Sequence, residues 1–157
     1  MRRKDREVTD KNQILDIIAR CPVGRVAFTD SQGAFIVPVH MGYQWEEKLT
    51  LYFHSAPEGR KMSALTAHPQ VFFEMDIHHG LQESASACGY SAYFESVMGT
   101  GQASLVTETE EKKKALNLLM RCQTGKDFVF ADKDVERVAV VKIVADSVTA
   151  KRRLKED

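Results

Sequence analysis

A mainly β protein, built as an antiparallel barrel with peripheral helices, is the fold class that this sequence predicts. Strand-like runs are mostly joined by tight turns, which suits antiparallel pairing. They do not alternate regularly with the crossover helices that a parallel sheet requires. The 157 residues contain no repeat, low-complexity tract or linker that would divide the chain. We therefore expect one domain over residues 1–157, long enough to bury a sizeable core.

The first predicted element is a helix that begins after Thr9 or Asp10. Asp10 is a good helix cap, and Gln13 stands at the capping-box position relative to it. Apolar residues then recur at helical spacing on one face. Pro22 ends the run, because proline lacks the backbone donor that a continuing helix needs.

A hairpin follows this helix. Residues 24–29 and 34–42 are strand-like, and Asp30-Ser-Gln-Gly33 between them supplies turn residues. Pro38 lies within the second run. Because proline cannot donate to a strand ladder, it indicates an edge strand, a bulge, or a position where something other than a strand lies alongside.

The middle of the chain contains two further strands around a short helix. Residues 49–54 alternate in polarity, residues 59–67 form the predicted helix, and residues 70–76 are rich in aromatic and branched side chains. The pattern is lost from Ile77 to Gly89, which predicts a loop there.

The C-terminal third predicts two strands around a long helix. Residues 90–106 form a β run that Gly99-Thr-Gly101 allows to bend. Thr107-Glu-Thr-Glu110 matches a capping box, and Gly125 is a typical helix stop. The last strand covers residues 135–149 and is followed by a basic tail.

Composition limits the classes of function. Lys plus Arg and Asp plus Glu number 22 each, so no overall charge predicts nucleic acid or an anionic membrane as a partner. We find no apolar run of the roughly 20 residues that cross a bilayer. Cys21, Cys88 and Cys122 are odd in number and widely spaced. They are expected to be free buried thiols in the reducing cytoplasm.

The segment from Leu51 to Leu65 contains the strongest functional signal. A strand ends at His54 and Ser55, and a turn through Pro57 and Gly59 leads to a helix that begins with Arg60 and Lys61. Exposed amides at a helix start favour anions, and the guanidinium and ammonium groups add positive charge. A phosphate group is the ligand that this combination predicts. The alternative is a turn with two solvated basic residues.

The ordered set of motifs resembles the pyridoxamine-5′-phosphate oxidase superfamily, the FMN-binding split barrels. Within it, the chain is most similar to the branch of the 5-nitroimidazole resistance proteins. No single motif is diagnostic, but together they cover nearly the whole chain. The motifs are Gly24-Arg-Val-Ala-Phe28, Ile36-Val-Pro-Val39, Leu51-Tyr-Phe-His-Ser-Ala56, Glu58-Gly-Arg-Lys61, His68-Pro-Gln-Val-Phe-Phe-Glu74, Ala87-Cys-Gly-Tyr90 and Ser96-Val-Met-Gly-Thr-Gly-Gln-Ala103.

The resemblance implies a six-stranded antiparallel split barrel that binds FMN in a groove at a homodimer interface. FAD and haem are the alternative cofactors. The phosphate would lie near Ser55, Arg60 and Lys61, and the strand near His40 would run along the flavin ring. The residues that the resemblance assigns to cofactor binding are Val37, Pro38, Val39, His40, His54, Ser55, Arg60, Lys61 and Ser96.

The implied activity is that of an FMN-dependent oxidoreductase, which would take electrons from a donor such as NAD(P)H and pass them to a small nitroaromatic-like acceptor. His54 is the candidate proton donor, since an unperturbed imidazole titrates near neutral pH. Packing or a hydrogen bond beside the phosphate is its alternative role. The other readings of the chain are a flavin- or haem-binding sensor or storage protein, and an enzyme related to pyridoxamine-phosphate oxidase. Asp76, His78, His79 and Cys88 match no compact ligand spacing, so no metal site is predicted.

Overall fold

The computed structural model describes residues 3–155, in which eight strands form a single antiparallel sheet. The strands are β1 (Glu7–Val8), β2 (Gly24–Asp30), β3 (Gly33–Val39), β4 (Gly42–Trp45), β5 (Leu49–Ser55), β6 (Gln70–Gln82), β7 (Ser91–Leu105) and β8 (Ala139–Arg153). The helices are α1 (Lys11–Arg20), α2 (Arg60–Ala67), α3 (Thr109–Thr124) and α4 (Asp132–Glu136). Short 3₁₀ turns cover Lys4–Arg6 and Ala87–Gly89.

The strands follow one another in the order β3-β2-β6-β7-β8-β5-β4, and β1 pairs with β8. One face of every long strand contributes to a single hydrophobic cluster, which includes Val26, Phe53, Phe73, Val97 and Ile143. The sheet must therefore curve around these side chains. The predicted class, an antiparallel barrel with peripheral helices, is confirmed.

The strand count is eight where six were expected. The predicted strand over residues 34–42 is interrupted at His40 and Met41, which separates β3 from β4. The two residues of β1 form the other additional strand. β3 lies at the end of the sheet order, as Pro38 predicted for an edge strand.

The ends of two helices test the capping predictions. At α1, the Asp10 carboxylate accepts the Gln13 backbone N–H at 2.9 Å, which confirms the predicted cap. At α3, Gly125 adopts a left-handed conformation with φ of 71° and ends the helix. The capping box predicted at Thr107 is wrong. Glu108 is the capping residue, so the Thr107 hydroxyl stands one position too early.

The loop predicted from Ile77 to Gly89 is wrong over its first half. β6 continues to Gln82 and remains paired with β7, with a register shift between His78 and Gly80. A β-bulge inserts one residue and resets the alternation of side chains. The polarity pattern is therefore lost although the ladder continues.

The last strand also extends further than predicted. Residues Lys151–Arg153 belong to β8 and pair with β7, and the strand begins only at Ala139, after α4. The predicted basic tail is therefore strand. One of its charged residues has a partner on β7, since Arg152 donates to the Glu95 carboxylate at 2.7 Å.

The three cysteines are free thiols, as predicted, but they differ in exposure. Cys21 is buried, which raises the pKa of its thiol to about 11, while Cys122 is half-buried. Cys88 is exposed, which corrects the expectation of burial for that residue. Among the helices of residues 3–155, none combines the length and the apolarity needed to cross a bilayer.

Candidate functional site

The junction between β5 and α2 brings together the predicted phosphate-binding residues. Ser55 is only 7% exposed and points to the same face of β5 as the core residue Phe53. Gly59, with φ of +117°, turns the chain into α2, and its position offers no side-chain cap to the helix. The first amides of α2 therefore lack a capping side chain, and they are available to an anion.

Lys61 is a half-buried cation at this junction. Its Nζ lies 5.6 Å from the centre of the Phe53 ring, on the face that also holds Ser55. Burial lowers the pKa of the ammonium group. No carboxylate within residues 3–155 forms an ion pair with Lys61. A partly desolvated cation without a counter-ion is a favourable place for an anionic ligand.

Arg60 is held differently from Lys61. Its Nε and Nη2 atoms donate to the Asp30 carboxylate at 2.6 and 3.1 Å. Its guanidinium lies 4.1 Å from the centre of the Phe35 ring. The guanidinium holds the pKa of Asp30 below its usual range. The structure thus ties Arg60 to the β2–β3 hairpin through Asp30 and Phe35.

His54 is not on the same side of the sheet as Ser55. It is exposed and lies opposite Val140, which belongs to a separate cluster with Tyr52 on the outer face of β5. Adjacent strand residues point in opposite directions. Within one chain, His54 is therefore separated from the Ser55 and Lys61 side chains by the thickness of the strand.

The β3 strand supplies an accessible edge beside this junction. Val37 and Val39 are half-buried against the core, whereas Pro38 points outward. Since β3 pairs only with β2 within residues 3–155, the backbone groups on its other side lack a sheet partner. These groups are free to meet the polar edge of a planar ligand.

His40 follows β3 directly and is exposed, but its ring is fixed. The distance from Nδ1 to the Pro22 carbonyl oxygen is 2.9 Å. A carbonyl oxygen only accepts hydrogen bonds, so Nδ1 is the donor. The Nε2 atom of a neutral His40 ring is therefore left as an acceptor.

Ser96 lies apart from the other predicted residues. It is on the outer face of β7, between Asp76 of β6 and Lys151 of β8. Ser55 pairs instead with Ala139, at the other end of β8. Ser96 alternates with the buried residues Glu95 and Val97, so it faces outward, whereas Ser55 faces the core. The two serines of one chain therefore lie on opposite faces of the sheet.

Two groups of residues around the sheet are absent from the sequence-based prediction. Asp30 was interpreted only as a turn residue, and its contact with Arg60 depends on how the hairpin packs against α2. The second group surrounds Glu95, which is 1% exposed and bonds to Arg20, His79 and Arg152. These bonds hold the pKa of Glu95 at about 2, and the bond to Arg20 has the largest effect. An isolated glutamate within an alternating strand gives no sequence signal for such a cluster.

Comparison with known proteins supports one family. The family model described as pyridoxamine 5′-phosphate oxidase matches residues 10–152. A solved structure of a candidate 5-nitroimidazole antibiotic resistance protein from Bacteroides thetaiotaomicron is 34% identical, with a TM-score of 0.80. That match covers 92% of this chain and 85% of the other. It confirms the superfamily and the branch that the sequence motifs implied.

Two more distant structures share the fold. A flavocytochrome from Azotobacter vinelandii is 22% identical with a TM-score of 0.81, and the match covers 100% of this chain and 75% of the other. An FAD and haem binding protein from Mycobacterium smegmatis is 14% identical with a TM-score of 0.80, over 97% and 76% of the two chains. A comparison with curated proteins gives no match.

Proposed function

Because this chain belongs to the pyridoxamine 5′-phosphate oxidase family, we propose that it binds FMN and passes electrons from a reduced donor to a small nitroaromatic-like acceptor. The observation that carries the proposal is the Ser55–Lys61 junction. An FMN phosphate carries roughly two negative charges near neutral pH. A phosphate would be bound well by the uncapped amides of α2, the Ser55 hydroxyl and Lys61, which forms no ion pair within residues 3–155.

The edge of β3 supports a position for the flavin ring. Phe35 contacts Arg60, so this end of β3 lies beside the proposed phosphate site. Val37 and Val39 follow at roughly 7 and 13 Å along the strand, at about 3.3 Å per residue. A ligand with its phosphate at α2 would extend along β3, and the free backbone groups there would meet the polar atoms of its ring.

When bound, the flavin supplies the two-electron chemistry between a donor such as NAD(P)H and the acceptor. The residues of this chain then hold the phosphate, orient the ring and limit its contact with water. His54 lies on the outer face of β5, so its proposed role as proton donor requires the acceptor to bind on that face. The protein needs no other acid, because water also delivers protons.

We propose a homodimer with the flavin at its interface. The outer face of the sheet exposes Ile36, Phe72 and Met98 by 65%, 49% and 39%. These side chains come from three strands of one surface, and burying them would provide a hydrophobic contribution to association. Ser96 lies on this same surface. A partner chain would thus supply the serine that a single chain keeps away from Ser55.

Haem binding without turnover is the second candidate function, and the His40 geometry favours it. A metal-ligating histidine usually donates its second ring nitrogen to a carbonyl or carboxylate. His40 does so through Nδ1 and leaves Nε2 accessible. We also propose a cytoplasmic location, since the exposed free thiol of Cys88 suits a reducing compartment.

The test is an absorbance spectrum of the purified protein after FMN addition and desalting, followed by anaerobic NADH or NADPH and then a nitroimidazole. We expect retained flavin bands that bleach with the donor and return with the acceptor. Flavin bands that respond to neither reagent would mean that the protein binds flavin but does not transfer electrons between these two reagents. A protein that retains no flavin would contradict the proposal, and a Soret band in the purified sample would favour haem.

A further inference from the structure

Arg60 is fixed by two residues that belong to the β2–β3 hairpin. The Asp30 carboxylate accepts two hydrogen bonds from the guanidinium, at 2.6 and 3.1 Å. The centre of the Phe35 ring lies 4.1 Å from the Cζ atom of Arg60. The two bonds to the carboxylate fix the rotation of the guanidinium, and the ring packs against it. A long side chain that is normally free in solution is thus held in one orientation.

The hairpin that holds Arg60 is itself well anchored. Asp30 Oδ1 accepts the backbone N–H of Gln32 at 2.8 Å within the turn. Phe35 stacks on Phe28, with ring centres 5.6 Å apart, and Phe28 is buried in the core. Both contacts to Arg60 therefore come from atoms that the fold already keeps in place.

A count of donors shows what remains free on Arg60. The guanidinium has five N–H bonds in a fixed plane. The edge formed by Nε and Nη2 is taken by Asp30, whereas the edge formed by Nη1 and the second Nη2 proton has no acceptor within the described residues. One complete fork of parallel donors therefore remains, and two oxygens of a phosphate fit such a fork.

We infer that Asp30 and Phe35 are positioning residues, which hold the free fork of Arg60 for the phosphate bound at Ser55 and Lys61. The inference rests on the proposed binding of FMN. An arginine without this support would lose its rotamer freedom when the ligand binds, and the affinity would fall accordingly. Asp30 does not touch the ligand in this scheme; it acts through Arg60.

The experiment compares the dissociation constants of FMN and riboflavin, which differ only by the phosphate. We expect Asp30→Ala to raise the dissociation constant of FMN about tenfold, as for loss of one charge-assisted contact. The dissociation constant of riboflavin should not change. In an Arg60→Ala background the same change should have no further effect. Asp30→Glu should restore part of the loss. Asp30→Asn, which keeps the shape and the bond to Gln32, provides a second variant if Asp30→Ala folds poorly.

Asp127→Ala is the matched control, because Asp127 forms a similar surface pair with Arg121 far along the chain from α2. It should change neither constant. Equal weakening of FMN and riboflavin by Asp30→Ala would show a merely structural role and overturn the inference. Unchanged FMN binding in Asp30→Ala and Asp30→Asn would overturn it as well, with the proposed function intact. A wild-type protein that binds neither flavin would overturn both.

Discussion

His54 and Ser55 are adjacent in the chain but face opposite sides of β5. Ser55 lies on the face of Phe53 and Lys61, whereas His54 lies on the outer face opposite Val140. The two residues therefore have separable roles. Ser55 belongs with the proposed phosphate site, and His54 is available only to a molecule on the outside of the sheet.

This separation predicts different effects of two neighbouring substitutions. Ser55→Ala should weaken FMN binding by about 1.5 kcal/mol, which is at the low end of the range for a hydrogen bond to a charged group. His54→Ala should leave the FMN affinity unchanged, because its side chain does not face the phosphate. Fluorescence titration with FMN measures both. A larger loss in His54→Ala than in Ser55→Ala would contradict the assignment of faces.

Lys61→Ala should weaken FMN binding by about 1.5–3 kcal/mol, since it removes the cation that lacks a carboxylate partner in the described part of the chain. Riboflavin affinity should not change. The matched control is Lys114→Ala, because Lys114 is an exposed lysine on α3. Equal FMN affinity in the wild-type protein and Lys61→Ala would remove Lys61 from the site.

The sequence predicted the local elements of this fold well, because turns, caps and alternation are short-range properties. The edge position of β3 is one of the alternatives that Pro38 indicated, and Gly125 ends α3 as predicted. The extension of β6 through residues 77–82 was missed, since a bulge disturbs the alternation while pairing with β7 continues. Local patterns do not reveal pairing that depends on a distant strand.

The site was predicted from the residues around Ser55 and Lys61 and from a family resemblance, neither of which describes the surroundings of these residues. Ser55 and Lys61 do come together at one junction, and that proximity follows from their short separation in the chain. Asp30 is 30 residues from Arg60. Their contact depends on how the hairpin packs on α2. The separation of Ser96 from Ser55 likewise follows from the register of β8, which the sequence does not state.

The exposed outer face provides a test of dimerisation. Phe72→Lys places a charge at the centre of the Ile36, Phe72 and Met98 surface, so it should convert a dimer into a monomer. Light scattering coupled to size exclusion measures the mass. Val129→Lys is the control, because Val129 is exposed on a different part of the chain. A wild-type protein that elutes as a monomer would contradict the proposed interface.

Gly99 permits a close approach between β7 and its surroundings. A Cβ atom there would lie 2.2 Å from the Ser147 carbonyl oxygen and 2.4 Å from the buried Phe73 ring. Because a backbone oxygen and a fully buried ring would have to shift, Gly99→Ala should lower the free energy of unfolding by about 1–3 kcal/mol. Urea denaturation measures the change. Ser104→Ala, on the exposed face of the same strand, should be nearly neutral, and equal stability of both variants would contradict the close contact.

The buried charge of Glu95 predicts how stability depends on acid. In the folded protein, bonds from Arg20, His79 and Arg152 hold its pKa at about 2, below the ordinary value of 4.5. A depressed carboxyl pKa contributes stability that is present above the unfolded value and is lost as the pH falls through the folded one. The window therefore lies between about pH 4.5 and 2. The lowered pKa of Glu95 therefore contributes up to about 3 kcal/mol to the free energy of unfolding, at about 1.36 kcal/mol per pKa unit.

Glu95→Gln removes this contribution and leaves two arginines beside a neutral amide. At pH 7 it should lower the free energy of unfolding by about 3 kcal/mol or more, as expected when one partner of a buried ion pair is removed. Near pH 2 the wild-type carboxyl is itself becoming protonated, so the difference between the two proteins should shrink. Urea denaturation across this pH range measures both curves, with Glu110→Gln as an exposed control that should follow the wild type. Parallel curves for the wild type and Glu95→Gln from pH 7 to pH 2 would show that the carboxylate charge does not stabilise the fold.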